Sequence, residues 1–174
     1  CISLVSIDLR NFNTSNVTWM NSVFNGCEKL QNVNISNWNV SKVDRFMYMF
    51  KDCVSLQNLD LSSFVTTKAI YFYEMFYNCK SLTNLNISKF NTANVKEFSS
   101  MFYGCESLTT LNLSHFRTTQ AVDMSYMFHK CYKLTSLNIA NFNTANVTNF
   151  RGMFYGCSSL TSLNLSHFDV SKAT

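Results

Sequence analysis

The sequence predicts an α/β repeat solenoid: a right-handed stack of coils, each with one short parallel strand and one helical return. Three observations predict it. The seven cysteines, Cys1, Cys27, Cys53, Cys79, Cys105, Cys131 and Cys157, follow one another at 26-residue intervals without a slip. All 16 phenylalanines fall in three columns of that repeat, and the leucines fall in three others. Within each unit the apolar period changes once, from two residues to three or four. One unit cannot bury its own apolar side, so the copies must stack on one another.

Counted from its cysteine, each unit opens C-x-x-L-x-x-L-x-L-x-x-F. The alternating stretch, for example Leu111 and Leu113, predicts a strand with one buried face. The strands should line up in parallel about 4.8 Å apart as one continuous sheet. From the fourteenth place the spacing becomes three and four, as in Val95, Phe98, Met101, Phe102 and Cys105. Those positions share one face of a helix of about three turns. Thr14, Thr66, Thr92, Thr118 and Thr144 stand where an N-cap would. Gly26, Gly104 and Gly156, with Asp52 and Asn78, fit a left-handed residue closing that helix. The phenylalanine at the twenty-fourth place, Phe24 through Phe154, should form a stacked aromatic spine.

The expected organisation is a single domain, residues 1–174, with repeats starting at 1, 27, 53, 79, 105, 131 and 157. The chain opens on a repeat cysteine and stops inside the seventh copy, so it reads as a fragment of a longer chain without caps. Proline is absent, which suits a parallel ladder that uses its backbone N–H groups. No secretory signal and no long apolar run is present, so no direct membrane insertion is expected in this segment. The net charge of +4 is scattered over Lys29, Lys42, Lys68, Lys96, Arg117 and Arg151, which argues against a nucleic-acid partner.

The cysteines read as buried free thiols. Equivalent Cβ atoms in stacked strands stand about 4.8 Å apart, whereas a disulfide wants roughly 3.8 Å. No paired C-x-x-C supports zinc. His115 and His167 lie two coils apart, about 10 Å, too far to share a metal. No Ser–His–Asp set, carboxylate pair or phosphate loop is readable, so neither a catalytic site nor a cofactor is expected. Sequons at Asn34, Asn86, Asn112 and Asn164 are by-products of one strand column, and glycans on all of them would collide.

Two surfaces are candidates for binding. The eighth place carries Asp8, Asn34, Asp60, Asn86, Asn112, Asn138 and Asn164, a polar column read as amides bonded along the ladder or as a lattice for a repetitive ligand such as a glycan. The return leg changes from copy to copy and carries Trp19, Tyr48, Tyr71 and Tyr126, residue types enriched at contact hot spots. A further column, Tyr77, Tyr103, His129 and Tyr155, is expected to stack.

Stretches such as residues 85–105 and 137–157, each ending M-F-Y-G-C, resemble the 26-residue leucine-rich repeats of bacterial surface proteins, the BspA-like group. The resemblance runs the length of the chain. It implies a leucine-rich-repeat stack, and a non-enzymatic cell-surface or secreted scaffold for adhesion or recognition. Partners would be a host or neighbouring-cell protein or glycan. It transfers no active site. The alternative is a filament or surface-layer component that self-associates end to end; ice or mineral binding is a third reading. Ordinary leucine-rich repeats place Asn after the strand to satisfy the turn. Here Phe or Trp stands there, so the corner must be satisfied another way.

Overall fold

A computed structural model describes residues 1–174. Six three-residue strands recur once per repeat: β1 (Ser6–Asp8), β2 (Asn32–Asn34), β3 (Asn58–Asp60), β4 (Asn84–Asn86), β5 (Thr110–Asn112) and β6 (Ser136–Asn138). They are parallel, and each pair is offset by one repeat, as in Leu59 opposite Leu85. The expected single sheet does not form. β1 pairs with β2, β3 with β4 and β5 with β6, giving three two-stranded sheets. The breaks follow an alternation at the ninth place. Leu9, Leu61 and Leu113 lie in the opening repeat of each pair, and Ile35, Ile87 and Ile139 in the closing one.

The helical return is also corrected, because the structure contains no helix. Each return leg passes through the left-handed region twice. The twenty-second place does so at Ser22, Tyr48, Glu74, Ser100, Tyr126 and Gly152; the twenty-sixth at Gly26, Asp52, Asn78, Gly104, Lys130 and Gly156. A right-handed helix cannot continue through such residues. The leg is a run of β-turns instead: Met101 N–H donates to Phe98 O (3.1 Å), Tyr103 to Ser100 (3.1 Å) and Cys105 to Phe102 (3.2 Å). Three-residue turns put Phe98, Met101, Cys105 and Leu108 on the inside, the same spacing that marks a helix face. Gly104 suits its positive φ, and a Cβ there would lie 2.5 Å from Asn78 Oδ1, so that side chain would have to turn aside.

The remaining N–H groups of the leg reach the next repeat. Phe98 donates to Asp123 O (3.0 Å), Phe102 to Met127 O (2.9 Å) and Gly104 to His129 O (2.8 Å). Bridges at the nineteenth place run unbroken from Trp19 through Arg45, Tyr71, Glu97 and Asp123 to Asn149. The continuous ladder is therefore on the return side, not on the strand side.

The threonines of the fourteenth place do not cap their own segment. The buried Thr92 hydroxyl donates to Arg117 O (2.9 Å) and accepts from Arg117 N–H (2.7 Å). Thr14, Thr66, Thr118 and Thr144 hold Asn39, Asn91, Asn143 and Asp169 in the same way. Thr92→Val keeps the volume and strands the part-buried N–H and C=O of Arg117. It is expected to cost about 1–3 kcal/mol, read as a lower denaturation midpoint at unchanged m-value.

The core is one apolar cluster that runs from Met20 to Met153. Its axis is the expected spine: Phe24, Phe50, Phe76, Phe102, Phe128 and Phe154 stack with centroids 5.2–5.9 Å apart. Phe46, Phe72 and Phe98 meet edge to face beside it, against Phe64, Phe90 and Phe116.

Candidate functional site

The eighth-place column sits at the end of each strand, exposed except for the half-buried Asn34. Its chemistry is mostly local. In every copy the side-chain oxygen accepts the backbone N–H two residues on: Asp8 from Arg10 (3.1 Å), Asn34 from Ser36 (3.3 Å), Asp60 from Ser62 (2.8 Å), Asn86 from Ser88 (3.2 Å), Asn112 from Ser114 (3.1 Å), Asn138 from Ala140 (3.2 Å) and Asn164 from Ser166 (3.0 Å). This Asx-turn is how the corner is satisfied, and it accounts for Asp or Asn in all seven copies. The expected amide ladder is nearly absent. In this column only Asn34 reaches back, to Asp8 at 3.4 Å. At the sixth place Asn84 Nδ2 donates to Asn58 Oδ1 (2.6 Å).

The return face is different. Trp19 is 61% exposed, with the Arg45 guanidinium 4.7 Å from its ring centre. Tyr71 follows Arg45 along the same bridge ladder and is half-buried. Tyr48 is half-buried edge-on against Tyr73 (5.0 Å). The Tyr73 hydroxyl is pushed up to about 12 by burial and by Tyr48. Tyr126 is half-buried between His129 (5.4 Å, edge-on) and Arg151 (5.8 Å). Gly152 leaves the room Tyr126 occupies, since a Cβ there would lie 2.8 Å from its ring.

Beside them runs a second aromatic stack. Tyr77, Tyr103, His129 and Tyr155 are parallel, with centroids 4.5, 4.6 and 4.8 Å apart. The inner rings cover one another's faces, and Tyr155 is 69% exposed. Lys51 lies 4.7 Å from the Tyr77 ring centre and is paired to Glu74 at 2.6 Å. Burial lowers the Lys51 pKa, but the Glu74 hydrogen bond and charge outweigh it, so the net shift is upward. Lys130 lies 5.7 Å from the Tyr103 ring centre. Regularity at the twenty-fifth place made this stack legible. Its flanking cations were not: Lys51 stands at the twenty-fifth place itself, where the second copy departs from the aromatic pattern, and Lys130 at the variable twenty-sixth.

Glu97 and Asp123 are successive members of the bridge ladder, a carboxylate pair the sequence reading missed. Burial raises the Glu97 pKa, and the Asp123 charge raises it further. Asn149 Nδ2 donates to Asp123 Oδ2 at 3.1 Å. His115 and His167 do not face each other. Their Nε2 atoms meet the carbonyls of Ile87 (3.1 Å) and Ile139 (3.2 Å). No group of three His, Cys, Asp or Glu residues is placed to hold a metal ion.

All seven thiols are free, and Cys27 through Cys131 are buried. They are more than small hydrophobes. Cys53, Cys79, Cys105, Cys131 and Cys157 each donate from Sγ to the carbonyl of the phenylalanine 29 residues earlier, Phe24, Phe50, Phe76, Phe102 and Phe128, at 3.1–3.2 Å. Burial pushes the Cys53 pKa up to about 12 and those of Cys79, Cys105 and Cys131 well above the ordinary thiol range. The reactive thiolate is thereby disfavoured.

No helix is long and apolar enough to cross a membrane. The fold and these surfaces define a tandem-repeat protein of parallel three-residue strands and turn-built returns. The chain matches, over residues 2–111 and 83–174, the family described as "Mycoplasma protein of unknown function, DUF285", and it belongs to that family. No curated protein matches the sequence.

Proposed function

We propose that the chain is a non-enzymatic recognition scaffold, a right-handed leucine-rich solenoid of the BspA-like kind, working at the cell surface or after secretion. The observation that carries this reading is the contrast between the two faces. The constant Asp/Asn column is engaged in building corners, which explains its constancy without a ligand. The return face varies from copy to copy and carries aromatics beside cations: the exposed Trp19 with Arg45, and the half-buried Tyr77 and Tyr103 with Lys51 and Lys130. Aromatic and Arg anchors on a rigid support are what contact hot spots are made of. The partner is a protein or glycan of a host or neighbouring cell.

The test is a glycan array together with binding to defined cell-surface proteins, using the 174-residue chain. Trp19→Ala and Tyr155→Ser should each weaken capture about tenfold or more with the melting temperature held, whereas Asn86→Asp on the strand face should not. Capture untouched by both aromatic changes would remove the assignment of this face. Fibres of the purified chain alone, seen by electron microscopy, would favour a filament component instead.

A further inference from the structure

Repeats four and five are closed on one side and open on the other. On the return side they are joined by Phe98 N–H to Asp123 O (3.0 Å), Ser100 to Ser125 (2.8 Å) and Phe102 to Met127 (2.9 Å). On the strand side no Cα of Asn84–Asn86 comes within 8 Å of any Cα of Thr110–Asn112. β2 and β3, also unpaired, do retain Cα pairs inside that distance. The gap between β4 and β5 is therefore the wider of the two.

Its walls are two strand edges. Leu61 N–H donates to Asn86 O (2.8 Å), so the odd places of β3 face β4. In a parallel sheet, alternate residues turn their N–H and C=O to opposite sides. Leu85 accordingly points both backbone groups, and Ile87 its N–H, away from β3 into the gap; the Ile87 carbonyl is taken by Phe90 N–H (3.0 Å). By the same phase, set by Leu113 N–H to Asn138 O (2.9 Å), Thr110 and Asn112 point theirs into it from β5. His115 Nε2 spans the gap to Ile87 O at 3.1 Å and closes one end. A third strand needs its flanking strands about 9.6 Å apart, twice the ordinary spacing.

We propose that the β4/β5 gap is a strand-accepting slot, filled by an extended peptide that hydrogen-bonds to both edges at once. One side of the occupant faces Leu85 and the buried Leu111, and so is apolar. The other lies level with Asn84, Asn86, Thr110 and Asn112, and so is small and polar. Neither wall strand carries a charge, so the occupant is uncharged in its centre; it is also free of proline, which would remove a donor. The slot lies on the face opposite the aromatic return, and it stands or falls independently of the recognition reading above.

A fluorescein-labelled peptide with the sequence of residues 109–114, itself a polar–apolar alternation, serves as the probe. Its fluorescence anisotropy is titrated with the intact chain. Saturable binding is expected, weakened roughly tenfold or more when alternate amides of the peptide are N-methylated, since each methyl removes a backbone hydrogen-bond donor to the slot edge. Thr110→Pro removes a slot-facing donor, and should weaken binding too. Slower hydrogen exchange at Thr110 and Asn112 on peptide addition is a second supporting readout that needs no variant. No saturable binding, or equal binding of the N-methylated peptide, overturns the slot.

Discussion

Phe102→Ala is expected to destabilise the protein by about 3–5 kcal/mol, the range for emptying a well-packed aromatic site. Phe102 is fully buried and stacks on Phe76 at 5.6 Å and on Phe128 at 5.7 Å, so its loss leaves a hole with rings on both sides. Those rings are fixed by repeats whose return legs are hydrogen-bonded at unchanging offsets, so the site cannot collapse without slipping the ladder. Stability in a repeat array is a sum of unit and nearest-neighbour terms. One substitution should therefore weaken two junctions at once. Phe12→Ala supplies the control: the same residue type, 62% exposed, expected within about 0.5 kcal/mol of the parent. Equal midpoints for the two variants in urea would contradict a spine at the twenty-fourth place.

The sequence told most about what is inside and least about how the backbone gets there. The columns of Phe, Leu, Met and Cys marked the interior because burial depends on periodicity, and periodicity is visible in letters. The return leg misled because a chain of β-turns and an α-helix both bring every third or fourth residue to one side. What separates them is φ at two positions, and side chains disclose that only where glycine or asparagine appears. Gly152 was the single glycine at the twenty-second place; Tyr48, Glu74 and Tyr126 adopt the same conformation without advertising it. The broken sheet had a sign in the strict Leu/Ile alternation at the ninth place, a 52-residue period beneath the 26-residue one. At the candidate surfaces the constant column was seen but its role was not. An Asx-turn and a ligand lattice ask for the same residues, and only the distances from Asp60 to Ser62 and its equivalents decide between them.

Alkaline pH should unfold this protein well before its backbone chemistry would. The buried thiols hold their protons when folded, because a thiolate would be desolvated inside the stack and the Sγ donor to a Phe carbonyl, Phe50 for Cys79 and Phe76 for Cys105, would be lost. The unfolded chain releases them near pH 9, where ordinary thiols titrate. Above that pH the unfolded state binds fewer protons than the native one, so stability falls as pH rises, and it is fully present below. For Cys53 the window runs from about 9 to about 12. For Cys79, Cys105 and Cys131 it opens at the same pH, and burial holds their pKa values well above the ordinary thiol range. Each such thiol contributes a slope on the order of 1.4 kcal/mol per pH unit. The raised Tyr73 and Tyr77 hydroxyls and the raised Lys51 ammonium push in the same direction. Melting temperature measured from pH 7.5 to 11 with reductant throughout should drop steeply past pH 9, and at neutral pH the reductant itself should change nothing. A chain with Cys79, Cys105 and Cys131 replaced by alanine should start lower but decline more gently. An undiminished slope in that chain would place the alkaline lability elsewhere than in the thiol column.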